Sequence, residues 1–145
     1  MPGYPPPVPG TPRVLTFVVT VDRKRTSWSG LGGEGIPMDE TWWAEHLVLA
    51  GLARCTLSSF DYHAHRASLE SAGSATAHGV VMKRESDGRY AFVQLEVVLD
   101  VELEPAPEEE TVLELVSKAE RDCFVGSSFI ARPRYEWTVN GEALP

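Results

Sequence analysis

Only two cysteines, Cys55 and Cys123, stand in the 145 residues. A framework of several disulfides is therefore excluded. In a reducing compartment such a pair is held as thiols, and a disulfide between them is more often catalytic or redox-sensing than structural. Cations are scarce as well: 13 Lys and Arg face 21 Asp and Glu, for a net charge of −8. That balance disfavours nucleic acid or an anionic membrane as a partner. No apolar run approaches the roughly 20 residues of a spanning helix. The first residues, Met1-Pro-Gly-Tyr-Pro-Pro-Pro-Val-Pro-Gly10, carry neither a charged n-region nor an apolar h-region. A signal peptide is not expected, and the expected compartment is the cytoplasm. No G-x-S-x-G elbow occurs, which disfavours a serine hydrolase. His63-x-His65 is not a one-face helical spacing, and no cysteine is near it in sequence, so no metal is expected.

What is present is organised around Thr41–Arg66. Apolar residues fill nearly every position from Leu47 to Ala53, without proline. This predicts a helix apolar all the way round, hence buried, with Thr41 as its N-cap. Gly51 costs such a helix about 1 kcal/mol. Close packing of another backbone against Ala50, Gly51 and Ala53 is the expected compensation.

Around this helix the chain reads as strands. Residues 1–12 form a proline-rich segment expected to be extended or disordered, and 13–145 a single domain. Residues 13–21 predict a strand, Asp22–Arg25 a turn and 26–29 a short return. Gly30-Leu-Gly-Gly-Glu-Gly35 matches G-x-G-x-x-G, but five residues intervene before the helix and no acid follows at a second strand's end. A loop is expected, not a dinucleotide cradle. Leu95, Val97, Leu99, Val101 and Leu103 alternate with more polar neighbours, predicting one buried strand face. With 74–84 they make a hairpin about Asp87-Gly88. A second helix is expected to open at 108–111 with Thr111 and Glu114 as a capping box. It buries Val112, Leu115, Val116, Ala119 and, in its last turn, Cys123, and Gly126 is its expected stop. Residues 135–139 predict a last strand. The fold class is α+β.

Each cysteine falls on a core-facing surface. Both can be small core hydrophobes, or an incidental structural pair. They can also be a redox pair, in which one thiolate opens a peroxide bond and the other condenses with the sulfenic acid. That chemistry needs a cation near the thiolate. Arg54 projects about 100° away from Cys55 on a helix. Arg23 and Arg25 are better candidates.

Glu45 ten positions before Cys55, Ala119-Glu-Arg-Asp-Cys123-Phe-Val, and Pro133-Arg-Tyr-Glu-Trp137-Thr-Val-Asn-Gly together resemble the OsmC/Ohr family. The resemblance spans roughly residues 13–141. It implies antiparallel sheets wrapped around two core helices in an intertwined homodimer. It also implies a thiol-dependent peroxidase that reduces organic hydroperoxides to alcohols. Cys55 matches the peroxidatic cysteine, Cys123 the resolving one and Glu45 the family's glutamate. The activating arginine matches Arg25, with Arg23 second. A dithiol or lipoyl-type reductant is implied, with no metal or flavin cofactor. Alternatives are a catalytically weak member holding a small apolar ligand, and a thiol redox sensor. The sequence departs from the family in Trp42-Trp43-Ala44 where Asn-Pro is common, and in Phe124 where Pro is common. Trp28, Trp42, Trp43, Phe60 and Phe124 are candidates to wall an apolar pocket, with ordinary core packing as their alternative role. On one straight helix Glu45 and Cys55 stand about 15 Å apart along the axis. Either the helix breaks before Leu47 or Glu45 serves the other subunit's site, and the apolar helix favours the second.

Overall fold

The alternation at 95–103 becomes the spine of the sheet. In the computed structural model, which describes residues 14–145, the strand containing it is β4 (Tyr90–Glu104). It pairs antiparallel with β3 (Glu70–Lys83), from Glu70↔Glu104 to Lys83↔Tyr90. β3 thus begins four residues earlier than the expected hairpin arm. Leu95, Val97, Leu99, Val101 and Leu103 are all buried, as period-2 patterning requires. The described residues divide into two compact units, 14–47 and 48–145. The proline-rich residues 1–12 lie outside the described residues.

Within Val48–Pro145 the buried sheet face is covered by helices. The central helix α1 (Ala44–Arg66) presents Leu52, Cys55, Thr56, Ser59, Phe60 and Ala64. These recur at intervals of three and four, so one stripe is buried and not the whole circumference. The expectation of a helix buried all round is corrected: Val48, Ala50 and Arg54 are exposed, and a Cβ at Gly51 would meet nothing within 4 Å. Beside the stripe, Leu49 and Leu57 are partly buried against the core. Thr41 is not the N-cap either. Asp39 Oδ1 gathers the Thr41 and Trp42 N–H groups at 2.8 and 3.0 Å, which sets Thr41 in a turn before Ala44. His46 Nδ1 reaches back to accept from the Trp43 N–H at 3.1 Å.

The second helix, α2 (Glu109–Arg121), buries Val112, Leu115, Val116 and Ala119 as its spacing predicts. Its capping box does not form. The N-cap is Glu108, which makes no side-chain cap bond, and Thr111 lies inside the helix. Acidic residues in the first turn offset the positive end of the helix dipole instead. A one-turn helix α3 (Phe124–Ser127) follows, then β5 (Arg134–Val139) and β6 (Glu142–Ala143). The strand order is β3-β4-β5-β6. β5 runs parallel to β4, Glu96↔Arg134 through Val101↔Val139, so the expected all-antiparallel sheet is corrected. The helical crossover through α2 and α3 returns the chain to the same edge in the same direction. Asn140 and Gly141, with φ of 50° and 82°, make the final hairpin turn.

In the other unit β1 (Val19–Val21) pairs antiparallel with β2 (Ser27–Ser29). Asp22 holds the turn: Oδ1 accepts from the Lys24 and Thr26 N–H groups at 2.9 and 3.0 Å, and Oδ2 from Trp28 Nε1 at 3.0 Å. β1 is shorter than the predicted 13–21 because its return strand offers only three partners. Residues 30–35 form the expected loop, closed by a bridge between Ser27 and Ile36.

Candidate active site

The buried stripe of α1 puts Cys55 and Thr56 side by side in the core, and the crossover brings Cys123 to them. α2 ends at Arg121, because Asp122 leaves helical geometry at φ −98°, ψ 14°. Asp122 is held there by Arg121, whose Nε and Nη2 each donate at 2.8 Å, and by His63 Nε2 at 2.7 Å. Cys123 therefore lies outside the last turn of α2, correcting its expected place. It is the N-cap of α3, and its sulfur accepts from the Gly126 N–H at 3.4 Å. Gly126 does not stop α2; it sits within α3.

Both cysteines are thiols. Cys55 is 6% exposed and Cys123 fully buried. The two side chains hydrogen-bond to each other, and that bond, with burial, pushes the Cys123 thiol far above its ordinary value. Thr56 Oγ1 lies 3.4 Å from the Cys123 sulfur and 2.9 Å from the Leu52 carbonyl. The Tyr135 hydroxyl lies beside Gly126 on the side of the Cys123 sulfur. Burial first, then the neighbouring Cys123, pushes the Tyr135 phenol well above its ordinary value, against ionisation. Glu120 accepts from Trp137 Nε1 at 3.3 Å, and burial raises its carboxyl.

The remaining predicted site residues belong to residues 14–47. Arg25 takes a left-handed backbone, φ 67°, and its Nη1 donates to the Arg23 carbonyl at 3.3 Å. It lines a cavity of about 200 Å³ with Val21, Ile36, Met38, Trp42 and Trp43. Glu45 is exposed in the first turn of α1. The ion pairs among the described residues include neither Glu45 nor Arg25 nor Arg23. Since α1 begins at Ala44 and continues to Arg66, the option of a break before Leu47 is gone. Of the proposed aromatic wall, Trp42 and Trp43 line the cavity. Phe60 packs in the core against Trp137 at 5.3 Å, Phe124 opens α3, and Trp28 is tied to Asp22.

Thr56, Glu120 and Tyr135 do not stand out in the sequence, and Gly126 does so only as a helix stop. One signal is there for Tyr135. It alternates with Trp137 and Val139 on an inward face, where a phenol must find a partner.

A family model described as OsmC-like protein matches residues 39–138. The chain belongs to the OsmC-like family. Solved structures share its fold. OhrB of Bacillus subtilis, an organic hydroperoxide resistance protein, is 22% identical with a TM-score of 0.55, covering 85% of this chain and 96% of its own. A putative organic hydroperoxide resistance protein of Vibrio cholerae, with captopril in one of its active sites, is 21% identical with a TM-score of 0.62 over 93% and 98%. An OsmC-like protein of Mycoplasma pneumoniae is 12% identical with a TM-score of 0.67 over 89% and 99%. Curated proteins yield no match. No helix of the described residues is long and apolar enough to cross a membrane, and no three His, Cys, Asp or Glu side chains among them gather to hold a metal ion.

Proposed function

We propose that this OsmC-like protein reduces organic hydroperoxides through a Cys55–Cys123 disulfide. The observation that carries the reading is the direct bond between two buried thiols, one of which is held strongly against ionisation. Cys55 is the thiol of the pair with some exposure, 6%, while Cys123 is sealed, so Cys55 is the one placed to meet a substrate. The Cys55 thiolate attacks the hydroperoxide oxygen that bears hydrogen. The O–O bond breaks, the alkoxide takes up a proton as the alcohol, and Cys55 becomes a sulfenic acid. Cys123 then forms the S–S bond and water leaves. A dithiol, of lipoyl type or otherwise, restores both thiols, and no metal or flavin takes part.

Arg25, or Arg23 as second choice, is the proposed cation that favours the Cys55 thiolate, with Glu45 holding the guanidinium. The continuous helix supports a homodimer in which Glu45 serves the partner's site. The apolar cavity bearing Arg25, Trp42 and Trp43 supports an alkyl substrate over hydrogen peroxide. The names of the Bacillus subtilis and Vibrio cholerae relatives point the same way. A reducing cytoplasm suits the resting dithiol.

The test is consumption of cumene hydroperoxide against hydrogen peroxide, with a dithiol reductant and the purified protein. Turnover on the organic peroxide, abolished in Cys55→Ser and stalled after oxidation of Cys55 in Cys123→Ser, is expected. No turnover with both thiols reduced overturns the reading in favour of ligand binding, and stoichiometric oxidation without turnover favours a redox sensor.

A further inference from the structure

To close the disulfide, Cys123 must lose a proton from a sealed position. Its sulfur is fully buried. Of the groups around it, Thr56 holds its hydroxyl at hydrogen-bond distance from the Leu52 carbonyl, 2.9 Å, on the helix side. Tyr135 is different. A Cβ at Gly126 would stand 2.5 Å from the Tyr135 hydroxyl and 3.2 Å from the Cys123 sulfur, so hydroxyl, sulfur and Gly126 meet at one point. A residue with a side chain there would displace the phenol. Beyond it lies a cleft of about 600 Å³ whose lining includes Tyr135, Gly126, Glu120, Ser127 and Arg132. At roughly 30 Å³ each, several waters fit such a volume. Glu120 is oriented in that wall by Trp137.

We propose that Tyr135 is the proton outlet of Cys123, handing its proton through the cleft to Glu120; this role rests on the peroxidase reading of the two thiols. The Cys123 S–H proton passes to the phenol oxygen as the phenol's own proton passes to a cleft water and on to the Glu120 carboxylate. The S–S bond forms and the Cys55 S–O bond breaks. Cys123 is oxidised and Cys55 reduced to the disulfide level. Hydroxide leaves Cys55 and takes up a solvent proton, while Glu120 releases one. The other titratable groups around Cys123 are Cys55 and His63 on α1, and Arg121 and Asp122 at the end of α2.

The test separates the two steps in the full chain. The reduced protein is mixed rapidly with one equivalent of cumene hydroperoxide, without reductant. Sulfenic acid on Cys55 is trapped with dimedone, and disulfide is followed by mass after acid quench. Tyr135→Phe is expected to oxidise Cys55 at the wild-type rate while closing the disulfide on the order of a hundredfold more slowly. Its closure rate should climb with pH as hydroxide replaces the phenol. Glu120→Gln, which keeps an acceptor for Trp137, should slow closure about tenfold. Gly126→Ala should behave like Tyr135→Phe. Closure at the wild-type rate and pH profile in Tyr135→Phe overturns the proposal, as does an equal loss of both steps. If wild-type Cys55 does not react with peroxide, the peroxidase reading fails on its own. Closure is then driven with diamide, where Cys123 must lose the same proton, and absence of slowing in Tyr135→Phe overturns the outlet.

Discussion

The two units of the chain handle apolar surface in opposite ways. In Val48–Pro145, alternating and helical patterns converge, and sixteen hydrophobic side chains are buried in one cluster. Among the described residues up to Leu47 none is buried. Val19, Val21, Trp28, Ile36, Met38 and Trp42 are each more than two-fifths exposed. The difference teaches where a sequence carries its own partner. A strand of alternating residues beside an amphipathic helix supplies both sides of a core. Two three-residue strands supply only one side. An apolar surface of this kind marks an interface, and we propose that a second copy of the chain covers it.

The largest expected effect sets one unit against the other. Phe60→Ala empties a fully buried site beside Trp137 and should cost about 3–5 kcal/mol. Trp43→Ala should change the stability of dilute, unassociated protein by no more than about 0.5 kcal/mol. It should instead weaken association, so that its denaturation midpoint falls only at high protein concentration. Urea unfolding at two concentrations measures both. Equal loss for the two variants in dilute protein would break the comparison.

Gly51 sharpens the same comparison from within α1. In the single chain a Cβ there would meet nothing within 4 Å, so Gly51→Leu should stabilise the helix by a little under about 1 kcal/mol. If a second copy packs there, the larger side chain should weaken self-association at least about tenfold, equivalent to 1.4 kcal/mol. We expect the weakening, read by sedimentation equilibrium. A raised midpoint with unchanged association would mean that this face of α1 is open.

How much was legible divides along the same line. The buried face of β4, the inward spacing of α2 and both cysteines were readable, since period and burial coincide in Leu95–Leu103 and Val112–Ala119. The boundaries were less so. Thr41 and Thr111 have the side chains of caps, but Asp39 and Glu108 stand at the chain reversals, and a cap depends on where the chain turns. The parallel pairing of β5 was hidden because Tyr135–Val139 alternates identically in either direction. Tyr135 and the true place of Gly126 escaped for a related reason. Their meaning lies in a contact with Cys123 that only the crossover creates. The roles of Glu45 and Arg25 came from resemblance alone, and a single copy of the chain does not join them.

The smallest effect concerns the tether beside Cys123. The Asp122 carboxyl is lowered from its ordinary 3.8, first by the Arg121 guanidinium and also by His63, with burial opposing. A carboxyl whose folded pKa is depressed contributes stability above its unfolded value, and that contribution is lost as the pH falls through the folded one. Its side chain is 38% exposed, so screening leaves about 0.5–1 kcal/mol at most. Asp122→Asn should therefore be less stable than wild type at pH 6 by about that amount, and the difference should close as the pH drops below 3.8. Because Asp122 fixes the chain just before Cys123 and touches neither sulfur, the same variant should broaden the closing step without changing oxidation of Cys55. A difference in stability that persists undiminished in acid would show that Asp122 acts by packing and not through its charge.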